Sequence, residues 1–440
     1  MTWRSRHTFL STMLAAVLTM TALAAPPAVA ASPDDSRPEQ GRYYTGDFKI
    51  SLNLYSFNIN MQAWLKNRKT APPIDTLQAI RFAKEAGFDA VDVTSYYIPG
   101  FDFYEMPTKP RDEIMDYARQ IRSLCEELDI DISGTGASND FASADPARRA
   151  LDLERVKFWI DVAAEMGAPV MRVFSGVVPE DIDQLGWAGV AQQRVVPALQ
   201  ELADYGAARG VDLGLQNHGD MTATAEQTIQ IMQWVNRPNI GIIDDTGYFR
   251  PFGSATGLDY DWYGDIAKVL PHTNNFQLKK KPAGAETDEL MDLERVFTDL
   301  RLSSYRGYVP LELLWVKGEP GYPRDLDEPP FAQIEEFFAQ VKDAMHATQD
   351  PPFDGIRTEL DVLRQSGDLQ QPAYALLTNT TRQAEHQFTS GHSSQSIRSL
   401  EDFLRRLDSA ASRGQATPTA RQQLAHRVTA LHDSFVDVFS

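Results

Sequence analysis

Residues 240–249 (IGIIDDTGYF) carry the most informative pattern of the chain, an apolar run that ends in two carboxylates and a turn. Three more stretches of the second half have the same form, an apolar strand that ends in a polar side chain: 214–219 (GLQNHG), 275–280 (NFQLKK) and 308–315 (YVPLELLW). They recur at about the spacing of one β/α unit. Polar groups at the carboxyl ends of successive strands meet at the top of a (β/α)8 barrel, so these stretches predict one shared site.

The rest of residues 48–347 continues the alternation of strand and helix. Eight candidate strands begin near Leu52, Phe88, Ile130, Pro169, Val211, Ile240, Asn274 and Tyr308. A doubly wound open sheet is the competing architecture, but no G-x-G-x-x-G motif follows the first strand. The pattern therefore predicts an α/β fold, a (β/α)8 TIM barrel over residues 48–347, with residues 31–47 as an N-terminal linker.

The remaining residues contain no strand pattern. Residues 348–352 (TQDPP) form a predicted linker, because two consecutive prolines end the preceding helix and stiffen the junction. Leucines at helical spacing over residues 353–440 predict a small all-α helical bundle in four segments, and Thr417-Pro418 is a typical helix start. We expect this tail to fold as an independent module.

The amino terminus predicts export. Arg4 and Arg6 precede an apolar run over residues 9–25, and the small residues that follow predict a signal peptide over residues 1–30, cleaved near Ala30. A twin-arginine signal with His7 in place of the second arginine is the alternative to a general secretory signal. The run is too short to span a bilayer, and no later segment is long and apolar enough to do so. The predicted location is secreted, either extracellular or in the cell envelope.

Composition narrows the possible partners. Cys125 is the only cysteine, so the chain contains no internal disulfide, and its neighbouring leucines predict a buried apolar residue. The formal net charge of −19 disfavours nucleic acid and anionic membrane surfaces, since phosphates would be repelled over the whole surface. A small uncharged or metal-bound molecule is the expected partner.

Several strands match one known family together with the four strand ends above. The matching stretches are 52–57 (LNLYSF), 87–93 (GFDAVDV) and 170–176 (VMRVFSG). Residues 48–345 resemble the sugar phosphate isomerase/epimerase family of xylose isomerase-like TIM barrels. The tail resembles FIMAH, a helical module of secreted bacterial enzymes.

The resemblance implies one divalent metal ion, Mn²⁺ or Mg²⁺, held at the ends of strands five to eight. Its expected ligands in this chain are Gln216, Asp245, Gln277 and Glu312. Gln216 stands where the family usually has a glutamate, and an amide oxygen can ligate a hard cation but brings no charge and accepts no proton. Two-base epimerisation is therefore in doubt, whereas a mechanism with one carboxylate base remains possible.

Three residues are candidates for the chemistry. Glu312 lies on an otherwise apolar strand, where a buried charge needs a cation or another partner, so a structural ion pair is its alternative role. His218 has the same strand parity as Gln216 and is a candidate proton acceptor, or a residue that stabilises the turn. Lys279 shares the parity of Gln277 and is either a group that binds substrate oxygen or part of a solvated loop edge.

Five residues are candidates for substrate binding: Arg172, Asp92, Tyr55, Tyr248 and Trp315. Arg172 lies between apolar residues of the fourth strand, and a buried ion pair with Asp92 is its alternative role. The aromatic residues follow strand ends, where such rings often stack on sugars, although core packing is equally common.

The resemblance implies a divalent-metal-dependent, sugar isomerase/epimerase-like enzyme that removes a proton alpha to a carbonyl, and the predicted export favours an unphosphorylated sugar or glycoside as its substrate. A metal-dependent lyase that acts on an oxidised (keto) glycoside is one alternative, and a non-catalytic sugar-binding protein is another. The tail is expected to contact cell wall or polysaccharide.

Overall fold

The computed structural model describes residues 41–249, 261–281 and 290–439. The predicted signal peptide and most of the predicted N-terminal linker lie outside these residues. Within the described residues, none of the helices combines the length and the apolar character that a bilayer crossing requires. Cys125 is buried as predicted, and burial raises the pKa of its thiol to about 12.

Eight parallel strands form a closed barrel in sequential order, and the last strand pairs with the first. The strands are β1 (Lys49–Asn53), β2 (Ala90–Thr94), β3 (Asp131–Gly136), β4 (Val170–Val173), β5 (Asp212–Gln216), β6 (Ile240–Asp245), β7 (Thr273–Lys279) and β8 (Tyr308–Glu312). The predicted (β/α)8 barrel is confirmed, and the open doubly wound sheet is excluded by the closure of β8 onto β1.

Helices surround the barrel and cover its apolar outer face. They are α1 (Asn58–Leu65), α2 (Thr76–Ala86), α3 (Arg111–Leu128), α4 (Pro146–Met166), α5 (Ile182–Val190), α6 (Val196–Ala207), α7 (Ala225–Val235), α8 (Trp262–Val269), α9 (Leu293–Leu302) and α10 (Phe331–Ala347). Gly87 and Gly167 end α2 and α4 with φ of 90° and 86°, a left-handed conformation that glycine adopts without a steric penalty. At each of these two glycines the helix ends and the chain turns toward the next strand.

The strand register brings the polar strand ends to one height at the top of the barrel. Asp245 lies opposite Gln277 in the β6–β7 pair, and Lys279 lies opposite Glu312 in the β7–β8 pair. Residues that alternate along a strand point to the same face, so Gln277 and Lys279 project together. The barrel therefore directs these side chains into one space.

The tail forms four helices, as predicted: α11 (Pro352–Ser366), α12 (Gln371–Thr389), α13 (Ser393–Ser412) and α14 (Pro418–Phe439). The hydroxyl of Thr417 accepts a hydrogen bond from the backbone N–H of Ala420 at 3.2 Å, which caps α14 at its predicted start. The helices bury an apolar core of their own, which includes Phe353, Leu377, Phe403, Leu424 and Phe435.

The tail also packs against the barrel, because α14 contacts α8 and α9. The guanidinium of Arg295 on α9 binds the carboxylate of Asp437 on α14 at 2.6 Å. Leu302, at the end of α9, is buried within the apolar core of the tail. The barrel therefore contributes part of the surface against which the helices of the tail pack.

We predict that a chain ending at Gln349 keeps its barrel but melts several degrees lower than the full protein. All eight strands and their covering helices precede that residue, whereas the loss of the tail exposes Leu302 and removes the partner of Arg295. Circular dichroism and thermal melting of the two proteins check this. Aggregation of the shortened chain would show that the barrel depends on the tail.

Candidate active site

Five polar side chains from β5 to β8 converge at the top of the barrel. Gln216, Asp245, Gln277, Lys279 and Glu312 form what we call the carboxylate–lysine cluster, and each is at most 6% exposed. All five were singled out from the sequence, four as metal ligands and Lys279, like Glu312, as a catalytic candidate. The structure brings them together.

Each carboxylate of the cluster accepts a hydrogen bond from a glutamine. The Nε2 group of Gln216 donates to Asp245 Oδ2 at 2.5 Å, and that of Gln277 donates to Glu312 Oε2. The backbone N–H of Gly247 donates to Asp245 Oδ1 at 3.0 Å. An ionised carboxylate only accepts hydrogen bonds, so the amide nitrogens, and not the amide oxygens, face the two acids.

The ammonium of Lys279 joins the two carboxylates. It lies 3.3 Å from Asp245 Oδ2 and forms a close ion pair with Glu312 Oε1. Burial lowers the pKa of Lys279, but the adjacent Asp245 and Glu312 outweigh this effect and leave it above its ordinary value. Burial also raises the pKa of Asp245 to about 6, against the attraction of Lys279. At neutral pH the cluster therefore contains a protonated lysine beside ionised Asp245.

The four predicted metal ligands meet as expected, but their arrangement does not fit a divalent ion. The ammonium of Lys279 lies between the two carboxylates, and both glutamines direct hydrogen-bond donors at them. Hard cations need several converging oxygen ligands, whereas of these four side chains only the two carboxylates present oxygen to that space. Over the described ranges, no three His, Cys, Asp or Glu side chains are placed to hold a metal ion.

His218 and Tyr248 lie at the edge of the cluster. Their rings stack with centroids 4.1 Å apart and an angle of 22°, and the ammonium of Lys279 lies 5.4 Å from the centre of the Tyr248 ring. The His218 ring also contacts Phe174, at a centroid distance of 4.8 Å. Both predicted residues are therefore close enough to the cluster to contact a molecule bound there.

Arg172 and Asp92 do not form the direct ion pair that the sequence left open. The guanidinium of Arg172 donates to the hydroxyl of Tyr96 at 3.1 Å and lies 4.2 Å from the centre of the Phe174 ring. The positive charge of Arg172 still attracts ionised Asp92, and it partly offsets the increase that burial causes in the pKa of that carboxyl. Arg172 is thus held by aromatic side chains beside the site.

Asp92 is buried inside the barrel between two amides. It accepts hydrogen bonds from the Nδ2 groups of Asn53 at 3.5 Å and Asn275 at 3.4 Å. Burial is the main reason that its pKa rises from 3.8 to about 6, and the charge of Glu312 adds to the increase. With its pKa at about 6, Asp92 is mostly ionised at neutral pH, and its burial in that form lowers the stability of the folded protein relative to the unfolded chain.

We predict that Asp92→Asn raises the free energy of unfolding at pH 7.5 by about 1–2 kcal/mol. Removing the whole cost of ionising buried Asp92 would give about 3 kcal/mol, but the new amide loses one hydrogen bond. The raised pKa means that the parent loses stability as pH rises from 3.8 to about 6. The advantage of the variant should therefore vanish below pH 4. Urea denaturation at both pH values checks this, and an equal difference at both would contradict it.

Tyr55 and Trp315 border the approach to the cluster. Burial and the nearby Glu312 raise the pKa of Tyr55 to about 12, so its hydroxyl stays protonated. The indole N–H of Trp315 donates to the backbone oxygen of Ser56 at 2.5 Å, which ties the segment after β8 to the end of β1. Trp315 and Lys279 both line a cavity of about 510 Å³, a volume typical of small-molecule sites.

Two asparagines of the site were missed in the sequence. Asn217 donates to the backbone oxygen of Asp245 and accepts from its backbone N–H, both at 2.8 Å, which joins the ends of β5 and β6. Asn275 binds Asp92 from β7. Asn275 has the same strand parity as Gln277 and Lys279, so alternation could have identified it. No sequence signal predicts the contacts of Asn217 with the backbone of another strand.

Known family models match both the barrel and the tail. A model described as "xylose isomerase-like TIM barrel" matches residues 80–330, and a FIMAH domain model matches residues 353–433. The four helices of the tail correspond to the second match.

Individual relatives are distant. A 3-dehydroshikimate dehydratase of Pseudomonas aeruginosa is 27% identical over 163 residues, which are 37% of this chain and 23% of that protein. The chain therefore spans less than a quarter of the length of that relative. A crystal structure of D-psicose 3-epimerase in the presence of D-fructose superposes with a TM-score of 0.51 at 15% identity, over 68% of this chain and 99% of the other. The IOLI protein with a bound zinc atom gives a TM-score of 0.47 at 15% identity, over 68% and 98%. At 15% identity, the superposition on D-psicose 3-epimerase shows a shared fold alone.

Proposed function

Because the chain belongs to the xylose isomerase-like TIM barrel family, we propose that it is an enzyme that removes a proton alpha to a carbonyl of an unphosphorylated sugar or glycoside. The observation that carries the proposal is the buried pair of Lys279 and Glu312 at the top of the barrel. Lys279 is among the residues that line the cavity of about 510 Å³ beside the cluster, and we take this cavity as the route by which substrate approaches. A carboxylate base beside a fixed positive charge is what enolisation requires.

The chemistry follows from these two side chains. Glu312 accepts the proton from carbon, and Lys279 donates a hydrogen bond to the carbonyl oxygen, on which negative charge develops. Return of the proton to the former carbonyl carbon, with transfer of the alpha hydroxyl proton to the former carbonyl oxygen, gives the isomer. Epimerisation needs a proton delivered to the opposite face of the alpha carbon, which Glu312 alone does not supply. His218 is the second candidate base, because its ring lies at the edge of the cluster. No step is assigned to the divalent metal that the sequence predicted, since the donor set does not fit one.

The substrate class rests on the predicted export and on the charge of the site. Sugar phosphates are mainly cytosolic, whereas residues 1–30 carry the pattern of a signal peptide. Asp245 and Glu312 outnumber the single positive charge of Lys279 in the cluster, so a phosphate group there would be repelled. Both points favour a neutral sugar or glycoside.

A lyase is the second candidate, and the dehydratase relative favours it. The same enolate eliminates a leaving group on the next carbon, and one base is sufficient for this. A sugar-binding protein without turnover is the third candidate, since Gln216 cannot act as a second base. The FIMAH tail would attach any of the three to cell wall or polysaccharide.

Solvent exchange tests the proposal. The purified protein is incubated in D₂O with free sugars and with 3-keto-glycosides, and NMR follows deuterium at carbon-bound positions. Exchange without loss of a group supports an isomerase or epimerase, whereas loss of a group supports the lyase. Absence of both, with a sugar bound in calorimetry, supports the binding protein. Sedimentation with insoluble polysaccharide, compared with the chain ending at Gln349, tests the role of the tail.

A further inference from the structure

The carboxylate–lysine cluster combines two glutamines with a lysine, and this combination has a consequence for the metal expected in this family. A cation is already present among the four expected ligands, since the ammonium of Lys279 is paired with both Asp245 and Glu312. The position that a divalent ion would need, between the two carboxylates, is therefore taken by a side chain of the protein itself.

Each oxygen of the two carboxylates accepts at least one hydrogen bond. Asp245 accepts from Gln216, Gly247 and Lys279, and both oxygens of Glu312 accept, one from Gln277 and one from Lys279. To ligate a metal, each glutamine would have to turn its oxygen inward and withdraw its donor from the acid it now satisfies. Loss of a partner by a buried charge is costly.

The charges of the cluster also argue against a bound divalent ion. The ionised carboxylates of Asp245 and Glu312 are matched in part by one ammonium. A dication added beside Lys279 would be repelled by it at short range in a buried site, where screening is weak. Lys279 is 2% exposed and is held between the two acids, so it cannot withdraw to bulk water without breaking both pairs.

We propose that the ammonium of Lys279 replaces the divalent cation in this chain, and that it binds the substrate oxygen on which negative charge develops without any bound metal. A lysine is a compact point charge with three donors, enough for the two carboxylates and one substrate oxygen. This role rests on the proposed function, whereas the exclusion of the metal rests on the cluster alone. The experiment treats the two separately.

Calorimetry with Mn²⁺ tests the exclusion of the metal without reference to activity. The full protein, after treatment with EDTA and desalting, should show no saturable binding up to about 1 mM Mn²⁺. The triple variant Gln216→Glu, Gln277→His, Lys279→Met introduces one charged and one imidazole ligand and removes the ammonium, and it should bind Mn²⁺ with a dissociation constant at least about 100-fold below that limit. Stoichiometric binding of Mn²⁺ by the parent at micromolar concentration would overturn the inference. Failure of the triple variant to bind would also count against it, because the ammonium and the amides would then not be what excludes the ion.

Solvent exchange with the same proteins tests the role of Lys279. Exchange by the parent should be unchanged within about twofold in EDTA, and Lys279→Met should lower it at least about 100-fold. Lys268→Met is the matched control, since Lys268 is a surface lysine paired with Glu226 at 3.0 Å and should change nothing. Exchange that disappears in EDTA and returns with Mn²⁺ would refute the role. A protein trapped on its substrate by borohydride would refute it too, because Lys279 would then form a covalent imine. If the parent shows no exchange in any condition, the proposed function fails, while the calorimetry still decides whether a metal binds.

Discussion

Glu312→Gln is expected to lower solvent exchange by roughly 10³-fold, because general-base catalysis contributes about 10²–10⁴-fold and an amide cannot accept the proton. The substitution preserves the shape of the side chain and its position at the end of β8. Substrate affinity should fall much less than turnover, because the lost interaction belongs to the transition state. Exchange measured by NMR and sugar binding measured by calorimetry separate the two quantities.

Glu226→Gln is the matched control for this variant. Glu226 forms an exposed ion pair with Lys268 and is not part of the cluster, so its replacement removes the same charge outside the cluster and should leave exchange unchanged. If Glu312→Gln keeps exchange within tenfold of the parent, Glu312 is not the base. His218→Asn then becomes the decisive variant, since His218 is the other candidate base.

Lys279→Met is expected to lower the free energy of unfolding by about 3–5 kcal/mol, the usual cost of removing one partner from a buried ion pair. Methionine fills most of the space of the lysine stem, so the effect reports the charge and not a cavity. Without the ammonium, the carboxylates of Asp245 and Glu312 face each other in a buried site. Urea denaturation at pH 7.5 measures the loss.

The double variant Lys279→Met, Glu312→Gln shows whether charge is the cause. It leaves Asp245 alone with Gln216 and Gly247, both of which donate to it, so part of the lost stability should return. If the changes that the two substitutions cause in the free energy of unfolding simply add, the two residues act independently. The ion pair in the cluster would then contribute little to stability.

The architecture was predictable because it depends on patterns that are local in the chain. Strands that alternate with amphipathic helices eight times over 300 residues have few arrangements other than a closed barrel, and the spaced leucines of the tail can only pack as helices. Parity along β7 is enough to place Gln277 and Lys279 on one face, since alternate residues of a strand project to the same side. The meeting of Gln216, Asp245 and Glu312 followed from strand order, since neighbouring parallel strands end at the same edge.

Local patterns along the chain are enough to predict the barrel, the helical tail and the residues at the top of the barrel. How those residues pair with one another depends on contacts between strands that are distant in the chain. Whether Lys279 extends into solvent or folds inward depends on a flexible four-carbon stem and on acids supplied by β6 and β8, which lie 33 or 34 residues away in the chain. The inward direction of the amide nitrogens is likewise set by charges on neighbouring strands. Long-range electrostatics of this kind has no periodic signature, so the pairing of Lys279 with both acids becomes visible only in the folded protein.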